Sequence, residues 1–456
     1  MLNKLLEFLK NKRILILGVG MEGKSTYNFL RRNFPEKELF IADQDIKVLE
    51  KYPEFMEDMF LEVNVGENYL NGIQEYDLII KSPGVCLKGI DISKFENKLT
   101  NQLELLLEFV PIFSIGVTGT KGKSTTSSIL YEVLKNQEKD VVLLGNIGKP
   151  IFDSLDELKE ESIAVLELSS HSLQYVKKSP NIAILLNVFE EHLDYYDSFK
   201  KYAEAKFNIF KFQTEKDYLI YNSDNPNMQN IKLKENDYAI SIEKNPDKKN
   251  SVYIQDEEII CNSKKIMSTK MELKLKGMHN INNIMFVLAV IDILNLDFGK
   301  ALKTIQNFKP LEHRCEFVAK IDSVEYYNDS IATIPEATIN TIKSLKNVNT
   351  LIVGGKDRKV KLENLIKFLA ESEIENVICL PKTGEYIYEG LKNVQNKNFF
   401  MVENLEEAVQ IAKNYTKKNT ICVLSPAASS YGFFKNFEER GKIYKKLVNN
   451  IKLTTK

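Results

Sequence analysis

Two short stretches carry the residue types of phosphate chemistry. GVGMEGKS (18–25) and GVTGTKGKST (116–125) are glycine-rich turns that contain Gly-Lys-Ser. In such a turn the glycines let successive backbone N–H groups face an anion at a helix N-terminus. A lysine then reaches the outer phosphates, and a Ser or Thr hydroxyl ligates Mg²⁺. The first stretch satisfies the strict spacing G-x-x-x-x-G-K-[ST] through Gly18, Gly23, Lys24 and Ser25, and the dinucleotide spacing G-x-G-x-x-G through Gly18, Gly20 and Gly23. The second misses the strict pattern, because Val117 stands at the first glycine position. It keeps the mechanism: Gly119 and Gly122 open the backbone, Lys121 and Lys123 add charge, and Ser124, Thr125 and Thr126 put hydroxyls in the first turn.

The surroundings separate the two. Beyond the second loop come Asn146, Glu167, His192 and Lys206, and a carboxylate with an imidazole suits Mg²⁺-assisted phosphoryl chemistry. Beyond the first loop there are only the Ser82-Pro83-Gly84 turn and Asp43, the latter placed where a dinucleotide fold carries its ribose-binding acid. The second loop is therefore the better candidate for ATP. The first reads either as a nucleotide loop or as a packing turn.

These groups need strands and helix starts to hold them. RILIL (13–17), ELFIAD (38–43) and YDLIIKSPG (76–84) alternate with helical patterns, the grammar of a parallel sheet. A second series contains IFSIGVTG, KDVVLLGN (139–146), SIAVLELSS (162–170), NIAILLNV (181–188) and DYLIYNSDNP (217–226), apolar runs suited to strands buried on both faces. The stretch 231–270 predicts an antiparallel appendage, and HNINNIMFVLAVIDIL (279–294) predicts a helix. VEYYNDS (324–330), NTLIVGGKD (349–357), ENVICLPKTG (375–384) and NTICVLSPAASS (419–430) form a third series. The fold class is thus α/β in three segments, with boundaries expected at 1–99, 100–309 and 310–456.

Composition narrows the class. A net charge of −1 gives no electrostatic case for nucleic acid or an anionic membrane. Five cysteines without a C-x-x-C pair argue against a disulfide framework or a zinc site. No apolar run approaches the roughly 20 residues of a membrane span, so a cytoplasmic chain without membrane insertion is expected.

At this point the constellation resembles the Mur ligase family, the ATP-dependent amino-acid ligases of peptidoglycan precursor synthesis. The resemblance rests on GVTGTKGKSTT (116–126), GNIG (145–148), LELSS (166–170), NVFEEHLDYY (187–196), AEAKF (203–207), GMHNINN (277–283), LEHRCEF (311–317) and NDSIAT (328–333). The ending LSPAASSYGFFKNFEERG (424–441) and the leading GVGMEG with SPG are similar to the D-glutamate-adding branch.

The resemblance implies a Rossmann-like N-terminal domain, a central P-loop ATPase-like domain with a mostly parallel sheet, and a C-terminal Rossmann-like α/β domain. It implies ATP at Thr118, Gly119, Thr120, Lys121, Gly122, Lys123, Ser124 and Thr125, with Asn283, Arg314 and Asp329 contributing. The uridine nucleotide of UDP-N-acetylmuramoyl-L-alanine falls to Gly20, Met21, Glu22, Asp43, Ser82, Pro83 and Gly84. D-Glutamate falls to Thr333, Arg358, Ser430 and Phe437, with Lys356 and Lys359 competing for the role of Arg358. Two Mg²⁺ ions are implied, at Ser124 and Glu167 and at His192 and Lys206, the last as a carbamate because an ammonium cannot ligate a cation. Catalysis would then rest on Lys123, Asn146, Glu167, His192 and Lys206, in a monomer.

One position departs from the family. Its usual D-S-K-A-T reads D-S-I-A-T here, so Ile331 replaces a lysine and weakens the amino-acid assignment more than the ligase assignment. Another Mur-type or folylpolyglutamate-type ligase is the alternative reading. A nicotinamide-dependent dehydrogenase would leave the 116–126 loop unexplained. His171, Tyr195 and Tyr196 read as structural groups, Glu190 and Glu191 as solvated or supporting ones.

Overall fold

The computed structural model describes residues 1–145, 149–192, 195–228, 231–309, 312–357 and 360–454. Among them the strands form three sheets. Residues 1–273 with 279–307 make one compact unit holding two sheets, and residues 274–278 with 308–456 make a second.

The first sheet contains β1 (Ile14–Leu17), β2 (Leu39–Asp43), β3 (Leu61–Val65), β4 (Leu78–Lys81) and β5 (Leu99–Thr100). All pair in parallel, in the order β3-β2-β1-β4-β5. The ILIL run of β1 is buried throughout, as a strand covered on both faces must be. β3 escapes the sequence pattern because its LEVNV run is a half-exposed edge. The chain reverses its direction of travel across the sheet at the junction of β1 and β4. This switch point opens a crevice outside the carboxyl ends of those strands.

The second sheet contains β6 (Phe113–Thr118), β7 (Val141–Gly145), β8 (Ile163–Glu167), β9 (Ile182–Leu185), β10 (Tyr218–Asn222), β11 (Tyr238–Ser241), β12 (Ser251–Gln255), β13 (Glu258–Cys261) and β14 (Lys264–Ser268). Their order is β14-β13-β12-β11-β10-β9-β6-β8-β7. The expected antiparallel appendage needs correcting. β11 and β12 pair in parallel and simply lengthen the sheet, and only β12, β13 and β14 form an antiparallel meander. Its two tight turns carry positive φ at Asp256 and Glu257 and again at Asn262 and Ser263, the twist that two-residue hairpins require. β14 ends the sheet with Lys264 and Lys265 exposed. The expected helix spans Met278–Ile293 and is buried along most of its length.

In the second unit β15 (Glu316–Ile321), β16 (Val324–Asn328), β17 (Val348–Gly355), β18 (Asn376–Lys382), β19 (Asn398–Met401) and β20 (Ile421–Leu424) lie in the order β15-β16-β20-β17-β18-β19. β15 is antiparallel to β16, and the remaining pairs are parallel. The final helix, Phe437–Thr454, buries Tyr444 and Val448 against this sheet.

The glycines of the first loop divide by function. A Cβ on Gly23 would lie 2.0 Å from the Gly18 carbonyl oxygen, whereas one on Gly20 would meet nothing within 4 Å. Gly23→Ala is therefore expected to destabilise the protein by about 1–3 kcal/mol. Gly20→Ala should stay within about 0.5 kcal/mol of wild type. Urea denaturation midpoints check both.

Candidate functional site

β6 delivers the chain into the loop Gly119–Gly122, and the helix Lys123–Asn136 starts directly after it. Asn187, beyond β9, clamps this loop. Its side-chain oxygen accepts from the Lys121 N–H at 2.8 Å, its amide donates to the Lys121 carbonyl at 3.0 Å, and its own carbonyl accepts from the Thr120 N–H at 2.8 Å. The Thr118 hydroxyl donates to the Leu168 carbonyl at 2.7 Å. Gly122 has φ +89°, and a Cβ there would come within 2.6 Å of the Asn283 side-chain oxygen, so Asn283 lies against the loop. Ser124 sits half-buried in the first helical turn, with Thr125 buried beside it.

Two lysines converge on one carbonyl. Lys123 Nζ donates to the Gly119 oxygen at 2.9 Å and to the Thr120 oxygen at 3.1 Å. Lys206, from the helix Phe199–Lys211, also donates to the Gly119 oxygen at 2.9 Å. Lys206 is only 2% exposed. Burial, with the Lys123 charge next in effect, holds its ammonium well below the ordinary lysine range, against the pull of Glu191. Lys121 pairs with Glu191 at 2.8 Å. Burial alone would raise the Glu191 carboxyl, but Lys121, His192 and Lys123 together outweigh it and the carboxyl lies below its usual range. Glu191 thus supports the loop, while Glu190 is solvated. His192 Nε2 lies 3.7 Å from the other Glu191 oxygen, and its backbone has φ +59°.

The first loop is built for a different task. Lys24 pairs with Glu54 at 2.6 Å and lies over the rings of Tyr27 and Phe55, away from its own loop. Asp43 braces the turn by accepting from the Val19 N–H at 2.6 Å, and the Ser82 hydroxyl donates to the Gly18 carbonyl at 2.6 Å. A cavity of about 400 Å³ opens here, and its walls include Gly20, Met21, Glu22, Asp43, Ser82, Pro83 and Gly84, every residue expected of the uridine site. The same cavity continues to Gly145 and Glu167 at the ends of β7 and β8. Glu167 is 1% exposed.

In the second unit Asp329 follows β16 and is buried. It accepts from Thr341 Oγ1 at 2.6 Å, Ser425 Oγ at 2.8 Å and the Cys315 N–H at 3.1 Å. Burial pushes its carboxyl up to about 6 against those hydrogen bonds and the Arg314 charge. Thr333, Lys356 and Ser429 line one small cleft. Ser430 is buried, and the Phe437 carbonyl accepts from Ser330 Oγ at 2.7 Å. Asn146, Arg358 and Lys359, with Pro310 at the expected domain boundary, lie outside the described residues. Among the described residues no three His, Cys, Asp or Glu side chains cluster as a metal cage.

Three residues here escaped the sequence reading. Asn187 opens the NVFEEH stretch, so its place in the motif was the available signal. Arg440, in FEERG, is fully buried and donates to Ser330 Oγ, the Ser330 carbonyl and the Ala428 carbonyl at 3.0, 2.7 and 3.1 Å. Lys81, at the end of β4, is 4% exposed and has no counterpart in any spacing rule.

Two family models match the chain. The Mur ligase middle domain covers residues 117–291, and the Mur ligase glutamate ligase domain covers 313–428. Curated UDP-N-acetylmuramoylalanine–D-glutamate ligases from Clostridium botulinum (strain 657) and Clostridium tetani are 32% and 31% identical, over 98% of this chain and 99% of theirs. Among solved structures, a UDP-N-acetylmuramate–alanine ligase from Thermotoga maritima superposes with a TM-score of 0.60 at 18% identity, covering 98% of this chain and 100% of its own. A pseudomurein peptide ligase type C from Methanothermus fervidus gives 0.59 at 18% identity, covering 97% of this chain and 100% of its own. These structural likenesses show a shared, largely parallel α/β fold.

The cavity has a built-in pH response. Burial pushes the Glu22 carboxyl up to about 7, with the Lys81 charge opposing, and burial pulls the Lys81 ammonium down to about 8. Raising the pH through 7 adds a negative charge, and raising it through 8 removes a positive one. Both changes disfavour an anion. A diphosphate diester, whose own charge is constant over this range, is therefore expected to bind in the cavity roughly tenfold more weakly at pH 9 than at pH 6. Glu22→Gln should remove the step near 7 and leave the one near 8, as read by calorimetric titration across that range.

Proposed function

Because this chain belongs to the Mur ligase family, we propose that it joins D-glutamate to UDP-N-acetylmuramoyl-L-alanine with cleavage of ATP to ADP and phosphate. The observation that carries this reading is the single cavity running from the Gly18–Glu22 turn to Glu167. A uridine nucleotide seated at the first loop extends from there toward the carboxylate and glycine loop of the second sheet.

The chemistry follows from charge. The substrate carboxylate attacks the γ-phosphorus of ATP, the bond to ADP breaks, and an acyl phosphate forms. The amine of D-glutamate then attacks the acyl carbon, loses a proton, and inorganic phosphate departs with the C–O electrons. Two anions meet in the first step, so this chain's cations carry much of the barrier. Lys123, which in this structure donates to its own loop, would neutralise the β- and γ-phosphates of a nucleotide at Gly119–Gly122. Asn187 and Asn283 keep that loop in shape.

Mg²⁺ fits the donor set. One ion would be held by the Ser124 hydroxyl and the buried Glu167 carboxylate and a second by His192 and a carbamate on Lys206, each completed by phosphate oxygens and water. When bound, the ion neutralises developing charge on phosphate oxygens. Lys206 is suited to carbamylation because its burial favours the neutral amine. That amine adds CO₂ and releases a proton, leaving an anionic oxygen that would serve with His192 as a ligand.

The amino acid falls to Thr333, Ser430, the backbone at Phe437 and a cation among Lys356, Arg358 and Lys359. Domain limits of 1–99, 100–309 and 310–456, a monomeric state and a cytoplasmic location complete the reading. No helix among the described residues is long and apolar enough to cross a membrane.

Lys206→Ala is expected to lose ligation by about a hundredfold or more while keeping its fold and its uridine-nucleotide affinity, and a short-chain carboxylic acid should restore part of the rate. Full activity without added acid removes the carbamate. Product mass with Mg-ATP, UDP-N-acetylmuramoyl-L-alanine and D-glutamate, L-glutamate, D-lysine or L-lysine in turn tests the substrate. Product with D-glutamate alone is expected, which shows that Ile331 is tolerated. Product with a different amino acid moves the specificity and leaves the ligase reading standing.

A further inference from the structure

Five contacts stitch the end of β4 and the loop after it to the chain around His192. The Tyr195 hydroxyl donates to the Val85 carbonyl at 2.7 Å, with Pro83 O at 3.3 Å, and accepts from Lys81 Nζ at 3.1 Å. Cys86 Sγ approaches the Tyr195 carbonyl at 3.7 Å, and Lys88 Nζ donates to the Tyr196 carbonyl at 3.2 Å. Pro83, Val85 and Cys86 are walls of the cavity.

On its other side Tyr195 leads to His192 by two routes. The Tyr195 ring meets His171 edge to face at 4.2 Å and 85°, and His171 meets His192 in the same way at 4.9 Å and 75°. The N–H groups of Tyr195 and Tyr196 both donate to the His192 carbonyl at 3.0 Å. His192 holds a left-handed backbone, a state that persists only when neighbours over-determine it. Tyr195 and Tyr196 are among the neighbours that do so.

We propose that Tyr195 is a positioning residue that couples occupancy of the uridine cavity to the placement of His192. This rests on the reading of that cavity as the uridine site and of His192 as a metal ligand. A nucleotide that orders the 82–86 loop fixes the Tyr195 hydroxyl, and the fixed ring and backbone hold His192 ready for the ion. Both ligands need the same arrangement, so each strengthens the other. The packing role expected for Tyr195 is the mechanical part of this device. The hydroxyl supplies the coupling.

The test is calorimetric titration of UDP-N-acetylglucosamine into the full-length protein saturated with ADP, once with Mn²⁺ and once with EDTA. This ligand carries no carboxylate that could touch the ion, and its weak binding of Mn²⁺ in solution is common to all variants. In wild type the ion is expected to tighten the nucleotide about fivefold or more. In Tyr195→Phe, which keeps the ring, the ratio should fall to about one. Lys81→Met, altered on the opposite side of the seam, should do the same and serves if the first variant fails to fold. A merely structural role would weaken binding equally with and without the ion and leave the ratio intact, which overturns the proposal. His192→Ala separates the premises. If the ratio survives His192→Ala, the metal reading of His192 falls and the proposal with it. If it is lost there but kept in Tyr195→Phe and Lys81→Met, only the coupling role falls.

Discussion

One backbone oxygen organises the centre of the first unit. The Gly119 carbonyl accepts from both Lys123 and Lys206, so two amines that would repel as cations share a single neutral acceptor. Loss of a proton from one amine, or the arrival of a polyanion, relieves that repulsion. Burial, with the Lys123 charge next, already holds the Lys206 ammonium well below the ordinary lysine range. The rest of the neighbourhood follows from that constraint. Glu191 is drawn in against Lys121, and Asn187 holds the loop by its amide without adding further charge.

The two Gly-Lys-Ser turns show what a spacing rule does and does not contain. Both follow a parallel strand and precede a helix, so both satisfy the backbone part of a phosphate loop. They differ in where the lysine goes. Lys24 is captured by Glu54 and an aromatic face of Tyr27 and Phe55, partners that belong to a later helix and to the core. Lys123 folds over its own carbonyls. The stricter match is the one whose lysine has been recruited for packing, and no local pattern could reveal this, because Glu54 lies in a separate element.

Legibility followed the same divide between local and tertiary information. Strands buried on both faces, such as β1, β8 and β9, stand out as apolar runs, and the residues just beyond their carboxyl ends were found with them. Edge strands such as β3 and β19 hide because one side is wet and the pattern is diluted. The direction of β11 and β12 was misjudged since short alternating runs look alike in either orientation. Within the site, motif residues were legible because their spacing is set by one strand–loop–helix unit. Lys81, Tyr195 and Arg440 were not, because each acts through partners on distant elements. Arg440 is the extreme case: a fully buried guanidinium whose partners at Ser330 and Ala428 are all uncharged, and burial pulls it down to about 10.

The outer end of the nine-stranded sheet has a consequence of its own. β14 leaves a row of backbone N–H and C=O groups along an open margin, and such a margin can recruit a strand from another molecule. Lys264 and Lys265 are both exposed on that strand. A second copy docking edge to edge would bring like charges together across the new ladder, in a setting where their hydration is partly stripped away. The charge of the lysine pair therefore opposes pairing of this edge with another copy of itself.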